Sequence, residues 1–464
     1  MHRFLLLLFL VIQTVGVSAQ TVGAKIAAAF NNFEKDTLYQ NASVSLYVIE
    51  AATGKLVFDK NSRMGLAPAS TQKIITSVSA YELLGQDYKF ITNIGYTGAI
   101  ANGVLKGDLI VSGSGDPTLG SWRWESTKPD NILDEWIKKL KATGIQKIDG
   151  RLQVNTGSFV YQAIPDGWIW QDIGNYYGTG AYALNWKENQ FDLQLTSGNA
   201  VGDAVLVKKD GAPVDYHNEL RAAAKGTGDN AYLYFDGSIS GTIPAGEKNF
   251  TISAADTNPA ATLLTDLDLR LKASGMVNKT ELTDGHDRSK SHGANAAGVI
   301  IKPFVQQVSP AMDSIIYWFN KKSINLYGEA LIKAIALQNN KPAATDEGVK
   351  LVRDFWKQQG IGSGELNMKD GSGLSPLNRV TTHAQVEILK YARSKSWFPA
   401  FYDALPEYND MKMKSGTISG VKGFCGYHKA KDGKEYIYSF LVNNYQGSAS
   451  GLVQKMYKVL NELK

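Results

Sequence analysis

The sequence predicts an α/β fold of more than one domain, in which a β-rich middle is nested between segments that mix helices with strands. Three observations predict it. The chain has 464 residues, well beyond the roughly 100–200 that one domain usually holds. Helical periodicity is strongest after residue 300, over 310–338, 346–359 and 382–394. Between about 90 and 300 the texture changes to short alternating runs, such as Leu109-Ile-Val111 and Phe191-Asp-Leu-Gln-Leu195, broken by Gly, Asp and Thr.

Taken in order, residues 1–19 read as an export signal. His2 and Arg3 precede an apolar run from Phe4 to Ile12, and Val17-Ser-Ala19 supplies the small-x-small cleavage pattern. The run is shorter than the roughly 20 residues a membrane helix needs. A helix and a hairpin follow: Val44, Leu46 and Val48 alternate, Ala51-Ala-Thr-Gly54 turns, and Leu56-Val-Phe58 returns. The next helix starts at Ser70, with Ile74, Val78 and Tyr81 on one face and Gly85 as its stop. Beyond the β-rich middle, Leu263, Leu264, Leu267 and Leu271 restore helical spacing over 258–275. The C-terminus reads as two strands, 410–430 and 435–445, joined at Lys431-Asp-Gly-Lys434. A final amphipathic helix carries Leu452, Met456, Val459, Leu460 and Leu463, a stripe expected to pack on the sheet.

Composition excludes several functions. A net charge of +5 with scattered basic residues is no nucleic-acid footprint. Cys425 is the single cysteine, so no intramolecular disulfide can form, and its alternating surroundings read as a strand with a packed thiol. His217, His286, His292 and His383 lack ligand spacing, so no metal or other cofactor is expected. No phosphate-binding glycine loop is present either. Asp116, within Gly-Asp-Pro, reads as a turn residue.

Three short motifs carry the chemistry. Ser70-Thr-Gln-Lys73 opens a helix, Ser323-Ile-Asn325 opens another, and Lys414-Ser-Gly-Thr417 lies in a strand. Residues three apart on a helix share a face, so Ser70 and Lys73 can hydrogen-bond without tertiary help. A serine hydroxyl needs a base to become a nucleophile, and lysine serves only when burial or a neighbouring cation lowers its pKa. Lys414 would be that cation. Ser323 can relay a proton to the leaving amine, and Asn325 can orient Lys73. The hydroxyls of Ser415 and Thr417 suit a terminal carboxylate, and the Ser70 and Thr417 N–H groups suit an oxyanion. Ser197-Gly-Asn199 also fits the second pattern but opens no helix.

The trio is the signature shared by penicillin-binding proteins and class A β-lactamases. Within that group the chain resembles the DacB-type D-alanyl-D-alanine carboxypeptidase/endopeptidases, the class C low-molecular-mass penicillin-binding proteins. The resemblance rests on Pro68-Ala-Ser-Thr-Gln-Lys73, Gly113-Ser-Gly-Asp-Pro-Thr-Leu119, Trp168-Ile-Trp-Gln-Asp172, Asn320-Lys-Lys-Ser-Ile-Asn-Leu-Tyr327, Asp370-Gly-Ser-Gly-Leu-Ser375 and Met413-Lys-Ser-Gly-Thr-Ile-Ser-Gly420. Ser70 and Ser323 stand 253 residues apart, matching the family's long insertion.

The resemblance implies an α/β penicillin-binding/serine β-lactamase-like transpeptidase fold, an antiparallel sheet flanked by helices, with nested β-rich insert domains. It implies a catalytic domain of 20–90 and 300–464, a first insert of 91–185 and 258–299, and a second of 186–257. It makes Ser70 the acylated nucleophile and Lys73 the proton acceptor. Ser323 and Asn325 complete the relay, and Lys414, Ser415, Gly416 and Thr417 bind substrate. The substrates would be peptidoglycan stem peptides, with β-lactams as covalent inhibitors, in the periplasm or cell envelope and with at most peripheral membrane association. The alternatives are a serine β-lactamase or esterase, and a non-catalytic peptidoglycan-binding protein. Asp172 has two readings: the family's acidic contact for the amino group on the peptide's third residue, or a helix cap in a packed seam. Two departures from the family pattern are Ser415, where threonine is usual, and Pro376, where some members carry arginine.

Overall fold

The computed structural model describes residues 21–157, 159–210, 212–213, 216–277, 280–284 and 300–464. The expected export signal, His286 and His292 lie outside the described residues. No helix among the described residues is long and apolar enough to cross a membrane.

A six-stranded antiparallel sheet organises the two ends of the chain. Its order is Leu56–Lys60, Ser43–Glu50, Glu435–Asn443, Val421–Lys429, Met411–Ile418 and Glu407–Tyr408. The strand read from the sequence over 410–430 is therefore a hairpin, Met411–Ile418 with Val421–Lys429, turning at Ser419-Gly420 where Gly420 has φ 68°. Alternation gives the sheet two apolar faces. One faces the helices Val22–Glu34 and Ala449–Leu460, burying Ile26, Phe30, Phe33, Leu452, Met456 and Phe440. The C-terminal stripe packs on the sheet, as expected.

The other face meets the helix Lys73–Leu83, in which every residue from Lys73 to Tyr81 is buried. It is enclosed on all sides, with Met312–Lys321, Asn325–Gln338, Thr345–Gln358 and Thr382–Arg393 around it. Full burial of each Ile or Val contributes about 1.5–3 kcal/mol. Its polar side chains are satisfied inside: Thr76 Oγ1 donates to Gly371 O at 2.6 Å, Asn320 Nδ2 to Ser77 Oγ at 2.8 Å, and Trp356 Nε1 to Ser79 Oγ at 2.8 Å. The helical pattern over 310–338 is two helices, because Ser323 between them has φ 58°. That left-handed residue ends one helix and reorients the next.

The middle of the chain has cores of its own. A five-stranded sheet contains Leu282–Thr283, Leu152–Asn155, Leu109–Ser112, Ile91–Tyr96 and Lys302–Val308. The strands by which the chain enters and leaves this region pair directly, Ile91 opposite Val308. Two helices cover the sheet, Pro129–Ala142 and Pro259–Ala273, burying Trp136, Leu140, Leu263 and Leu267. The first of these interrupts a stretch whose texture predicted strands. A separate small core, with Leu193, Leu195, Leu220, Ile239 and Ile252, joins two further four-stranded sheets.

Candidate active site

Ala69–Gln72 form one 3-10 turn running straight into the Lys73–Leu83 helix. Ala69 has φ 46° and is completely buried. A non-glycine residue in that region costs about 1–2 kcal/mol, and here the neighbours impose it. A Cβ at Gly416 would stand 2.5 Å from Pro68 O and 2.9 Å from Ser70 N. One at Gly373 would stand 2.0 Å from Ala69 O. Two glycines thus let the Met411–Ile418 strand and the 370–375 loop close on the turn that presents Ser70.

Lys73 Nζ lies 2.9 Å from Ser70 Oγ, 2.6 Å from Asn325 Oδ1 and 2.8 Å from Ser372 O. Burial pushes this amine well below its ordinary pKa, and the Lys414 cation pushes the same way against the pull of Asp370 and Glu329. Lys414 Nζ donates to Ser323 Oγ at 3.0 Å and to Ser415 O at 2.8 Å, and burial lowers its pKa to about 7. Asn325 cannot rotate freely: its Nδ2 donates to Tyr177 O at 2.7 Å while its Oδ1 accepts from Lys73.

Support comes from residues outside the three short catalytic motifs. Asp370 Oδ1 accepts from Gln72 Nε2, Gly373 N and Asn378 Nδ2, and its Oδ2 accepts from Trp168 Nε1 and Ser375 N. The Glu329 carboxyl accepts from Gly371 N and from Ser372 N at 2.9 Å, which fixes the Ser372 carbonyl offered to Lys73. Burial and the nearby Asp370 push the Glu329 pKa up. One sequence signal was available: Asn325, Glu329 and Lys333 follow each other at four-residue steps on one helical face.

These groups open onto a groove of about 830 Å³ lined by Ser70, Ser323, Asn325, Thr417, Asp172 and Tyr177 among others. Asp172 lies in the short helix Trp170–Ile173 on the wall contributed by the middle of the chain. Burial raises its carboxyl to about 6, opposed by a hydrogen bond from the Tyr177 hydroxyl. Farther along, Arg123 makes a two-point contact with Glu188, Nε to Oε1 at 2.6 Å and Nη2 to Oε2 at 3.0 Å, and Tyr327 O–H donates to Glu188 Oε1 at 2.8 Å.

The structure therefore joins Ser70, Lys73 and Asn325 in one hydrogen-bonded set and Ser323 with Lys414 in another, both meeting at the groove. Thr417 lines the groove and its Oγ1 accepts from Lys422 Nζ at 2.7 Å. Gly416 packs against the turn that carries Ser70. Ser415 pairs across the hairpin with Phe424 and, by strand alternation, shares its face with Thr417 and not with Lys414. Cys425 is a buried strand thiol whose pKa burial raises to about 12, and Asp116 closes its own turn by accepting from Thr118 N and Oγ1.

The model of the D-Ala-D-Ala carboxypeptidase 3 (S13) family matches residues 26–407. A D-alanyl-D-alanine carboxypeptidase of Actinomadura sp. (strain R39) is 25% identical over 458 residues, covering 90% of this chain and 81% of that one. The crystal structure of penicillin binding protein 4 (dacB) of Haemophilus influenzae superposes with a TM-score of 0.78 at 22% identity, covering 93% of this chain and 98% of that one. The same Haemophilus protein in complex with a β-lactam gives 0.73 at 20% identity, covering 94% and 99%.

Proposed function

The chain belongs to the D-Ala-D-Ala carboxypeptidase 3 (S13) family, and from that membership we propose how its own residues carry the reaction. It is a serine-type D-alanyl-D-alanine carboxypeptidase, a penicillin-binding hydrolase of the α/β class. The observation that carries the residue roles is the set of three atoms around Lys73 Nζ. A neutral amine has two N–H bonds and one lone pair. Asn325 Oδ1 and Ser372 O can only accept, so they take the two N–H bonds. The lone pair is left for the hydroxyl of Ser70.

Ser70 Oγ then attacks the carbonyl carbon of the penultimate D-Ala while its proton passes to Lys73 Nζ. The oxyanion faces the N–H groups of Ser70 and Thr417. Two preorganised donors of this kind are worth about 3–4 kcal/mol each in the transition state. Collapse breaks the peptide C–N bond. The departing amine takes a proton from Ser323 Oγ, and Ser323 is reprotonated by the proton that Lys73 took from Ser70, so Lys73 is neutral again while Lys414 keeps its charge. Water, deprotonated by Lys73, cleaves the ester and regenerates Ser70. Lys414 Nζ has two partners and a third N–H to offer the substrate's terminal carboxylate, with Thr417 beside it.

Stem peptides of peptidoglycan are the substrates, and β-lactams acylate the same serine. Asp172 receives the amino group on the third residue of the peptide. A groove of this size holds more than a terminal dipeptide, which supports cleavage of D-Ala–diamino-acid crosslinks at the same serine. The enzyme works outside the inner membrane, in the cell envelope, after removal of residues 1–19.

Labelled penicillin and mass-spectrometric mapping test these roles. One long-lived adduct is expected, on Ser70, and none on a Ser70→Ala variant. A label on another serine, or none on folded protein, overturns the assignment. Rapid turnover of the penicillin would instead mark a β-lactamase.

A further inference from the structure

Between Gln162 and Ala181 the chain forms a loop whose ends meet, Ala181 N–H donating to Ala163 O at 3.1 Å. The loop carries Trp168, Asp172 and Tyr177. Its tip is held by Asn325 Nδ2 on Tyr177 O, and its flank by Trp168 Nε1 on Asp370 Oδ2 at 2.9 Å. The neck is held differently. Lys333 inserts its Nζ there and donates to Gln162 O at 2.8 Å, Ala163 O at 3.4 Å and Ala181 O at 2.7 Å.

Lys333 is only 1% exposed, and although the Glu329 charge favours its ammonium, the hydrogen bonds of its Nζ run to backbone carbonyls. Burial lowers its ammonium to about 8. Glu329 stands four residues earlier, the spacing at which glutamate and lysine commonly pair, yet its carboxyl accepts from Gly371 and Ser372 instead. Taking an ammonium out of water without a carboxylate is unfavourable, and three carbonyl oxygens from the two ends of one loop are what this ammonium meets.

We infer that Lys333 is a positioning residue for substrate selection, which closes the neck of the 162–181 loop and so holds Asp172 on the groove wall. The inference rests on the reading of Asp172 given above. Asn325, Glu329 and Lys333 then divide the work of one helix face. The first orients the base and touches the loop tip, the second fixes the Ser372 carbonyl, and the third shuts the loop. A shift of the loop would change which peptides bind well while leaving Ser70 and Lys73 in place.

The test uses two peptides ending in D-Ala-D-Ala, one with a free side-chain amine on the third residue and one with that amine acetylated. The full-length enzyme should prefer the free amine in KM by about tenfold, and Asp172→Asn should abolish the preference. Lys333→Met should lose most of the preference through KM, with kcat and penicillin acylation of Ser70 within about threefold of the parent. Lys333→Arg, which keeps charge and donors, should retain most of it. If the methionine variant does not fold, Lys333→Gln takes its place and should fall between the other two. A folded Met or Gln variant with the parental preference overturns the role of Lys333 alone. So does one that loses penicillin acylation in parallel, since that would mark general damage. A parent that does not discriminate overturns the reading of Asp172, and the role of Lys333 with it.

Discussion

Lys73 and Lys414 stand within electrostatic reach of each other in a pocket almost closed to water, 0% and 1% exposed. Two ammonium groups there disfavour one another, so one gives up its proton more readily. The acceptor pattern around Lys73 identifies it as that one. Acylation should rise with pH as Lys73 deprotonates, because only the neutral amine can take the Ser70 proton. Removing the Lys414 charge relieves the repulsion and raises the Lys73 pKa. In Lys414→Met the acid limb of the penicillin acylation profile should therefore move to higher pH, by about one unit. Stopped-flow acylation between about pH 5 and 9, all below the ordinary lysine value of about 10.4, checks this. A limb that stays put would separate the two lysines. At this scale the sequence was informative where partners are close in the chain: the hydrogen bond between Ser70 and Lys73 follows from helical spacing alone. Asp370 and Trp168 hydrogen-bond across 202 residues, and no local spacing carries such a pairing.

The approach of strand to turn is the decisive element-level contact. Gly416 lets the Met411–Ile418 strand lie against the backbone of Pro68 and Ser70. Gly416→Ala would place a methyl 2.5 Å from Pro68 O, so strand and turn must separate. That overpacking should cost about 1–3 kcal/mol of stability, and the displaced oxyanion donors should slow acylation by about tenfold or more. Thermal unfolding and penicillin acylation measured together check it. Normal acylation in a destabilised variant would show that the contact serves folding alone. Helix and strand assignments went astray where a single residue decides. Helical periodicity runs on through 310–338, and only the Ser323-Ile-Asn325 motif, which reads as a helix start, marks the left-handed residue that divides it. The Pro129–Ala142 helix was legible, with Pro129 at its first position and Ile132, Leu133, Trp136, Ile137 and Leu140 on one face. The β texture on either side obscured it.

Across the molecule, separate cores imply separable stability. We propose that the catalytic part comprises the two chain ends, the first insert the five-stranded sheet with its return strand Lys302–Val308, and the second insert the core around Ile239. Ile239 is completely buried in a cluster of few side chains. Ile239→Ala should cost about 2–5 kcal/mol and produce an early calorimetric transition for the second insert, with Ser70 acylation retained below it. A single cooperative transition shifted as a whole would mean that the cores unfold together. The compositional break near residues 90 and 300 made the nesting legible. Which strands close the insert was not, because Ile91 and Val308 are brought together only by the fold.

That pairing bears on how such an enzyme could be rebuilt. The excursion departs and comes home through neighbouring positions, so Ile91 and Val308 could be bridged by a tight connection once everything between them is cut away. The remnant would keep the nucleophile, its base and the cationic strand, but Asn325 and Lys333 would face solvent where they now grip the excised loop. Such a miniature should still be marked by penicillin and should have lost its taste for one peptide over another.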